Sequence, residues 1–129
     1  MEQRKITFRG KSIKDGRWYY GYFYKQGVSC FISYEIEDRP NISVEVIPES
    51  VGQFTHLIDR NELEIYEGDK LSIQTRKGVF EGVVKWNVQS AGYIVMGDNR
   101  YLEIVTAAAS SDSNEYIKLD MASVVGNKY

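Results

Sequence analysis

The chain reads as a mainly β protein, with a small SH3-like barrel in its C-terminal half and a β-hairpin-rich N-terminal subdomain. Hydrophobic residues alternate with period two along most of its length, the spacing of a strand with one covered face. The alternating runs are short and are separated by Gly, Asp and Asn turn signals. No stretch carries helical spacing far enough to make a long helix; "SVGQFTHL" (50–57) has a weak trace of it, interrupted by Gly52.

The elements follow in order. In "KITFRG", Ile6 and Phe8 face one way while Lys5, Thr7 and Arg9 face the other. "KDG" (14–16) supplies an Asp-Gly hairpin turn. The return strand "RWYYGYFY" carries Trp18, Tyr20, Tyr22 and Tyr24 on one face, and Tyr19, Gly21 and Phe23 on the other. Gly21 between aromatics signals a close backbone approach or a bulge. "VSCFISYEI" and "SVEVIP" are two further strands, with "EDRPN" between them as a polar breaker around Pro40. From about Glu67 the pattern becomes more regular: "KLSIQT", "VFEGVVKWN", "YIVM" and "RYLEIV" alternate between "RKG", "VQSAG" and "GDN" turns. "TAAASSDSN" predicts a long exposed loop. "EYIKL", one helical turn at "DMAS" and a last strand "VVGNKY" complete the chain. Five short strands, the last preceded by a single turn, is the order of an SH3-like barrel. The expected subdomains are 1–66 and 67–129, together making one compact domain.

Composition narrows the functional classes. At 129 residues the chain is long enough to fold without disulfide or metal staples. Its formal net charge is −2, which argues against binding driven by counterion release from nucleic acid. Cys30 is the single cysteine, so no intramolecular disulfide can form. The start, "MEQRKITFRG", has no apolar signal-peptide core, and no run is long enough for a membrane helix. The expectation is a cytoplasmic protein with no membrane contact.

The segment "HLIDRNELEIYEGDKL" (56–71) concentrates charge around His56. As chemistry, Glu62, Glu64, Glu67 and Asp69 could surround a metal or a scissile bond, and Glu62 and Glu64 would share a strand face about 6.5–7 Å apart. As structure, Asp59 and Asn61 suit a tight turn, "ELEIY" sets Glu62, Glu64 and Tyr66 on a wet face against Leu63 and Ile65, and Gly68-Asp69 ends the strand. The structural reading is preferred, because paired carboxylates on a strand are mostly solvated and no metal motif accompanies them.

Other chemistry is equally thin. Cys30 sits in an apolar alternating strand and suits a small buried side chain. One His and one Cys far apart are not a nucleophile pair. No Gly-x-Ser-x-Gly elbow occurs, "GVFEG" lacks the Gly-Lys-Ser/Thr ending of a phosphate loop, and metal ligands of the Cys/His type are almost missing. The expectation is no enzyme, no catalytic or metal-binding residue, and no cofactor.

Four blocks carry a resemblance: "ITFRGKS", "DGRWYYGYF", "VIPESVGQFTHLIDRNELEIYEGDKL" and "VVGNKY". In this order they resemble the YopX family of phage and prophage proteins. Two positions depart from that family's pattern. His56 stands where the family usually has the glycine of Thr-Gly-Leu, and Glu62 where it has the glycine of Lys-Asn-Gly. Losing both glycines suggests a changed turn, with Asn61 taking the left-handed conformation. The resemblance implies a largely β fold and a phage setting, and it transfers no active site.

What remains is binding. Small barrels hold single strands by stacking bases on aromatics beside cations. Arg17, Trp18, Tyr20, Tyr22, Tyr24 and Lys25 would form such a stripe near Arg4, Lys5, Arg9 and Lys11, with a second set at Arg76, Lys77, Lys85 and Trp86. The plainer reading buries Trp18 and Trp86 in the core and lays the tyrosines over the sheet with their hydroxyls wet. The reading adopted is a non-enzymatic accessory protein that binds a protein partner or itself, with nucleic acid as the alternative. Its expected surface is Tyr20, Tyr22 and Tyr24, with Arg17 and Lys25 at the rim.

Overall fold

The computed structural model describes residues 7–37, 39–98, 100–103 and 117–129. The expected loop "TAAASSDSN" and the strand residues Lys5 and Ile6 lie outside the described residues. The chain is mainly β, in antiparallel sheets, and divides into two compact units, Met1–Phe54 and Thr55–Tyr129. The division falls inside one strand, β5 (Gly52–Ile58).

In the first unit, β1 (Phe8–Lys11), β2 (Trp18–Gln26), β3 (Ser29–Ile36) and β4 (Arg39–Val46) pair antiparallel in sequence order, and the start of β5 lies on the other side of β1. The first hairpin forms because Gly16 accepts a φ of +70° and the Asp15 carboxylate takes the Arg17 N–H at 2.9 Å. Register then assigns the faces. Phe23 lies opposite Ile32, and Ile32 opposite Val44, so these side chains share one side. That side is the core: Cys30, Ile32 and Val46, with Phe8, Tyr19, Phe23 and Val44 packed against them. Gly21 is the close approach its setting predicted, since a Cβ there would land on the Ser33 carbonyl oxygen. The sheet curls until β4 meets the end of β1. There Ile47 N–H donates to the Lys11 carbonyl at 2.8 Å, Ile13 N–H to that of Glu45 at 3.1 Å, and Ser12 and Val46 form one bridge.

The breaker "EDRPN" is shorter than expected. Strand pairing resumes at Arg39, opposite Ile36, so the backbone at Pro40 is already extended. Proline is tolerated because it lies near the start of an outer strand, where its missing N–H removes no ladder bond. Glu37, at φ +50°, makes the reversal instead.

In the second unit, β7 (Asp69–Thr75), β8 (Gly78–Asn87), β9 (Gly92–Met96) and β10 (Tyr101–Glu103) pair consecutively. β12 (Ala122–Asn127) returns to β7, giving the order β10-β9-β8-β7-β12. Among the described residues no pairing joins β10 to β12. The later part of β5 pairs with the short β6 (Glu64–Tyr66) and, in parallel, with β11 (Ile117–Lys118). Leu57, Ile65, Leu71, Phe80, Val84, Val95 and Ala122 make the core. "DMAS" is a turn at Asp120 and Met121 followed at once by strand, not a helical turn, because Ala122 already pairs with Ile73 and its side chain enters that core.

Candidate functional site

The charge-rich segment resolves into pins. Asp59 is fully buried, and its Oδ1 accepts the N–H groups of Asn61 at 2.8 Å and Leu63 at 2.9 Å. Its Oδ2 accepts the Val124 N–H of β12 at 2.9 Å. Burial works against the charge, but those three amides outweigh it and hold the carboxyl below its ordinary range. Asp69, also buried, accepts the Tyr66 N–H at 2.8 Å, across the turn that Gly68 makes at φ +91°. Both aspartates hold the backbone.

The expected wet strand "ELEIY" is corrected. Only Glu64–Tyr66 are strand, Glu62 belongs to the turn, and Leu63 is exposed while Ile65 and Tyr66 are both buried. The cause is the turn itself. Asp59 closes it through its carboxylate and backbone, and Glu62 takes φ +65°, so alternation cannot begin until Glu64. His56 takes φ +68°, and Asn61 is not left-handed. The left-handed geometry is therefore kept at His56 and Glu62, without glycine at either position. Glu62 and Glu64 do not form a pair along one strand. Among the described residues no group of three or more His, Cys, Asp or Glu side chains is placed to hold a metal ion.

The aromatic strand is different. Tyr20, Tyr22 and Tyr24 are 49%, 69% and 37% exposed, in line on the outer face of β2. Alternate backbone positions are about 6.5–7 Å apart along a strand. Tyr24 lies opposite Phe31 and Phe31 opposite Glu45, so one row crosses three strands. The Tyr24 and Phe31 rings stack at 5.1 Å with 12° between their planes, and the Tyr24 hydroxyl donates to Ser43 Oγ at 2.9 Å. At the other end, Arg9 lies opposite Tyr20, and its guanidinium sits 4.5 Å over the ring of half-buried Trp18.

The cations expected at the rim lie elsewhere. Lys25 is in register with buried Cys30, on the face opposite Tyr24. Arg17 precedes β2 beside Asp15 and Tyr19; the Arg17 amide and the Tyr19 hydroxyl both bond to the Asp15 carboxylate, which lowers its pKa and raises that of Tyr19. Both cations are exposed, but neither belongs to the tyrosine row. The pairing that the sequence reading missed is Arg9 over Trp18. Its signal was available: Arg9 alternates with Phe8, and a hairpin folded at Asp15-Gly16 brings it alongside Trp18 and Tyr20.

Trp86 corrects the core reading. It is 49% exposed and meets Tyr93 edge-on at 5.1 Å, near the end of β8 where the core no longer covers it. The second unit also has a cleft of about 330 Å³, bordered by Ile73, Leu102, Leu119, Met121 and Ala122. Its walls are chiefly apolar, with the charged Glu103, Lys118 and Asp120 also on its border. Among the described residues, no helix is long and apolar enough to cross a membrane.

The family model described as YopX protein matches residues 2–129. The chain belongs to the YopX family. In this YopX protein the matched region covers the aromatic strand and the Asp59 turn alike, so both are parts of one family domain. No curated protein matches the chain.

Proposed function

We propose that the protein is a non-enzymatic accessory protein of a phage or prophage, working in the bacterial cytoplasm by binding another protein through the tyrosine face of β2. The observation that carries this reading is the line of three exposed tyrosines on the outer side of the first sheet. Tyr and Trp are enriched at protein interfaces, where a rigid ring covers much area at little entropic cost. The non-enzymatic part is supported by how the candidate carboxylates are placed, since Asp69 accepts a backbone amide and Glu62 lies in the turn rather than beside Glu64 on one strand. Protein is favoured over nucleic acid because Lys25 and Arg17 lie off the tyrosine row and Arg9 is stacked on Trp18. We further infer an SH3-like barrel in the second unit, supported by four consecutive antiparallel strands with the last strand returning to the first of them.

The test is affinity capture from host cells with wild-type and Tyr22→Ala bait, alongside thermal unfolding of both. A protein retained by wild type and lost by a normally folded variant supports the reading. Identical captured sets overturn it. Titrating labelled single-stranded and duplex DNA and RNA at two salt concentrations tests the alternative, whose binding must weaken steeply with salt.

A further inference from the structure

Resting on that reading, we propose that the distal end of the tyrosine face, Tyr22, Tyr24, Phe31 and Glu45, is a site for arginine side chains presented by a partner protein. Three observations lead there. The first is that this face already holds a guanidinium at its covered end, since Arg9, itself buried, stacks over half-buried Trp18 at 4.5 Å. Aromatic ring faces carry negative potential and attract a flat, weakly hydrated cation.

The second is that the aromatic line continues beyond the reach of that cation. Tyr22 is the most exposed of the three tyrosines, and Tyr24 with Phe31 forms a stacked pair whose row ends on a carboxylate, Glu45. Glu45 lies directly across from Phe31, so an arriving guanidinium would find an aromatic ring and, one strand on, an acid able to accept two parallel N–H bonds. Ser33 and Ser43, the residues opposite each other in the Tyr22 row, add hydroxyls able to accept further N–H donors.

The third is the charge on the two faces. Lys25, the cation nearest Tyr24 in sequence, lies on the opposite face. A polyanion would meet Glu45 at this end of the sheet, whereas an arginine-bearing segment meets complementary groups. Arginine suits the site better than lysine, because its planar fork can stack and pair at the same time.

The experiment titrates the full chain with a short peptide of repeated Gly-Ser-Arg and with its citrulline twin, which keeps the shape and loses the charge. Calorimetry at low salt is the readout, with a single-stranded oligonucleotide as a third arm. The arginine peptide is expected to bind about tenfold more tightly than the citrulline twin, and Tyr22→Ala or Glu45→Gln each to weaken it about three- to tenfold. Lys25→Gln, on the opposite face, is expected to leave it unchanged. Glu45 is exposed, so Glu45→Gln is expected to fold and keeps the site testable if Tyr22→Ala unfolds. Equal binding of the two peptides, no binding, or oligonucleotide binding that depends on Tyr22 would each overturn the proposal. Tyr22-dependent capture of a host protein together with failure of the arginine peptide would sink the arginine site and leave the protein-binding role standing.

Discussion

The aromatic strand 18–24 and the charged segment 56–71 exchange the roles their compositions suggest. Carboxylates gathered around a histidine look like chemistry, yet the two buried aspartates there spend their oxygens on backbone amides. Tyrosines alternating along a strand look like packing, yet three of them face solvent. The difference teaches that burial, not residue type, separates a pin from a surface. A buried carboxylate persists only where donors converge on it. A row of tyrosines can remain exposed because each hydroxyl is content in water.

The largest expected effect lies in the charged segment. Asp59→Ala strands three part-buried amide donors, two in the turn and one on β12, and is expected to cost about 3–4 kcal/mol in urea unfolding. Asp59→Asn should fall between, since it keeps one acceptor oxygen and turns an NH2 toward the Val124 N–H. A carboxyl held below its ordinary range in the folded state contributes stability that is complete above its unfolded value, near pH 4, and is lost as pH falls through the folded value. The urea midpoints of wild type and Asp59→Asn should therefore draw together as pH falls below 4. If they stay as far apart there as at neutral pH, the charge is not what holds the turn.

Next comes the strand that carries the tyrosines. Gly21→Ala would push a methyl into the Ser33 carbonyl and splay β2 from β3, at a cost of about 1–3 kcal/mol. The tyrosine face depends on that pairing, so the same variant should reduce any binding at Tyr22 and Tyr24. A variant as stable as wild type would mean that the strands can part at this point, and that the face is less rigid than its register implies.

Much of this was legible beforehand. Period-two alternation located most of the strands, Asp15-Gly16 and Gly68-Asp69 marked turns that form, and Cys30 is the small buried side chain that its apolar strand suggested. What stayed hidden needed partners distant in sequence. Nothing within reach of Asp59 reveals that Val124, 65 positions away, donates to it. Tyr66 alternates like a wet residue and is buried, because the turn before it resets the register. Trp86 reads as core by its size and sits where the core ends.

The left-handed residues give a smaller test of the charged segment. An L-residue at positive φ costs about 1–2 kcal/mol, which glycine avoids at an entropic cost of roughly 0.5–1 kcal/mol. Glu62→Gly is therefore expected to raise stability by about 0.5–1 kcal/mol, read as a higher thermal midpoint. Asn61→Gly, at a position that is not left-handed, should give no gain. If Asn61→Gly stabilises and Glu62→Gly does not, the turn has the geometry first expected from the sequence.

The smallest expected effect on stability is the one that carries most about function. Tyr22 is 69% exposed, lies opposite Ser33 rather than another aromatic, and is not one of the residues of the core. Removing its ring forfeits only cross-strand contact, so Tyr22→Ala should unfold within about 0.5 kcal/mol of wild type. Phe23→Ala, one residue on and turned to the core, should cost several times more. The pair of variants separates the two sides of one strand by a single position. Near-equal losses would show that the outer face is packed after all, and the tyrosines would then belong with the pins of the charged segment rather than with a surface open to a partner.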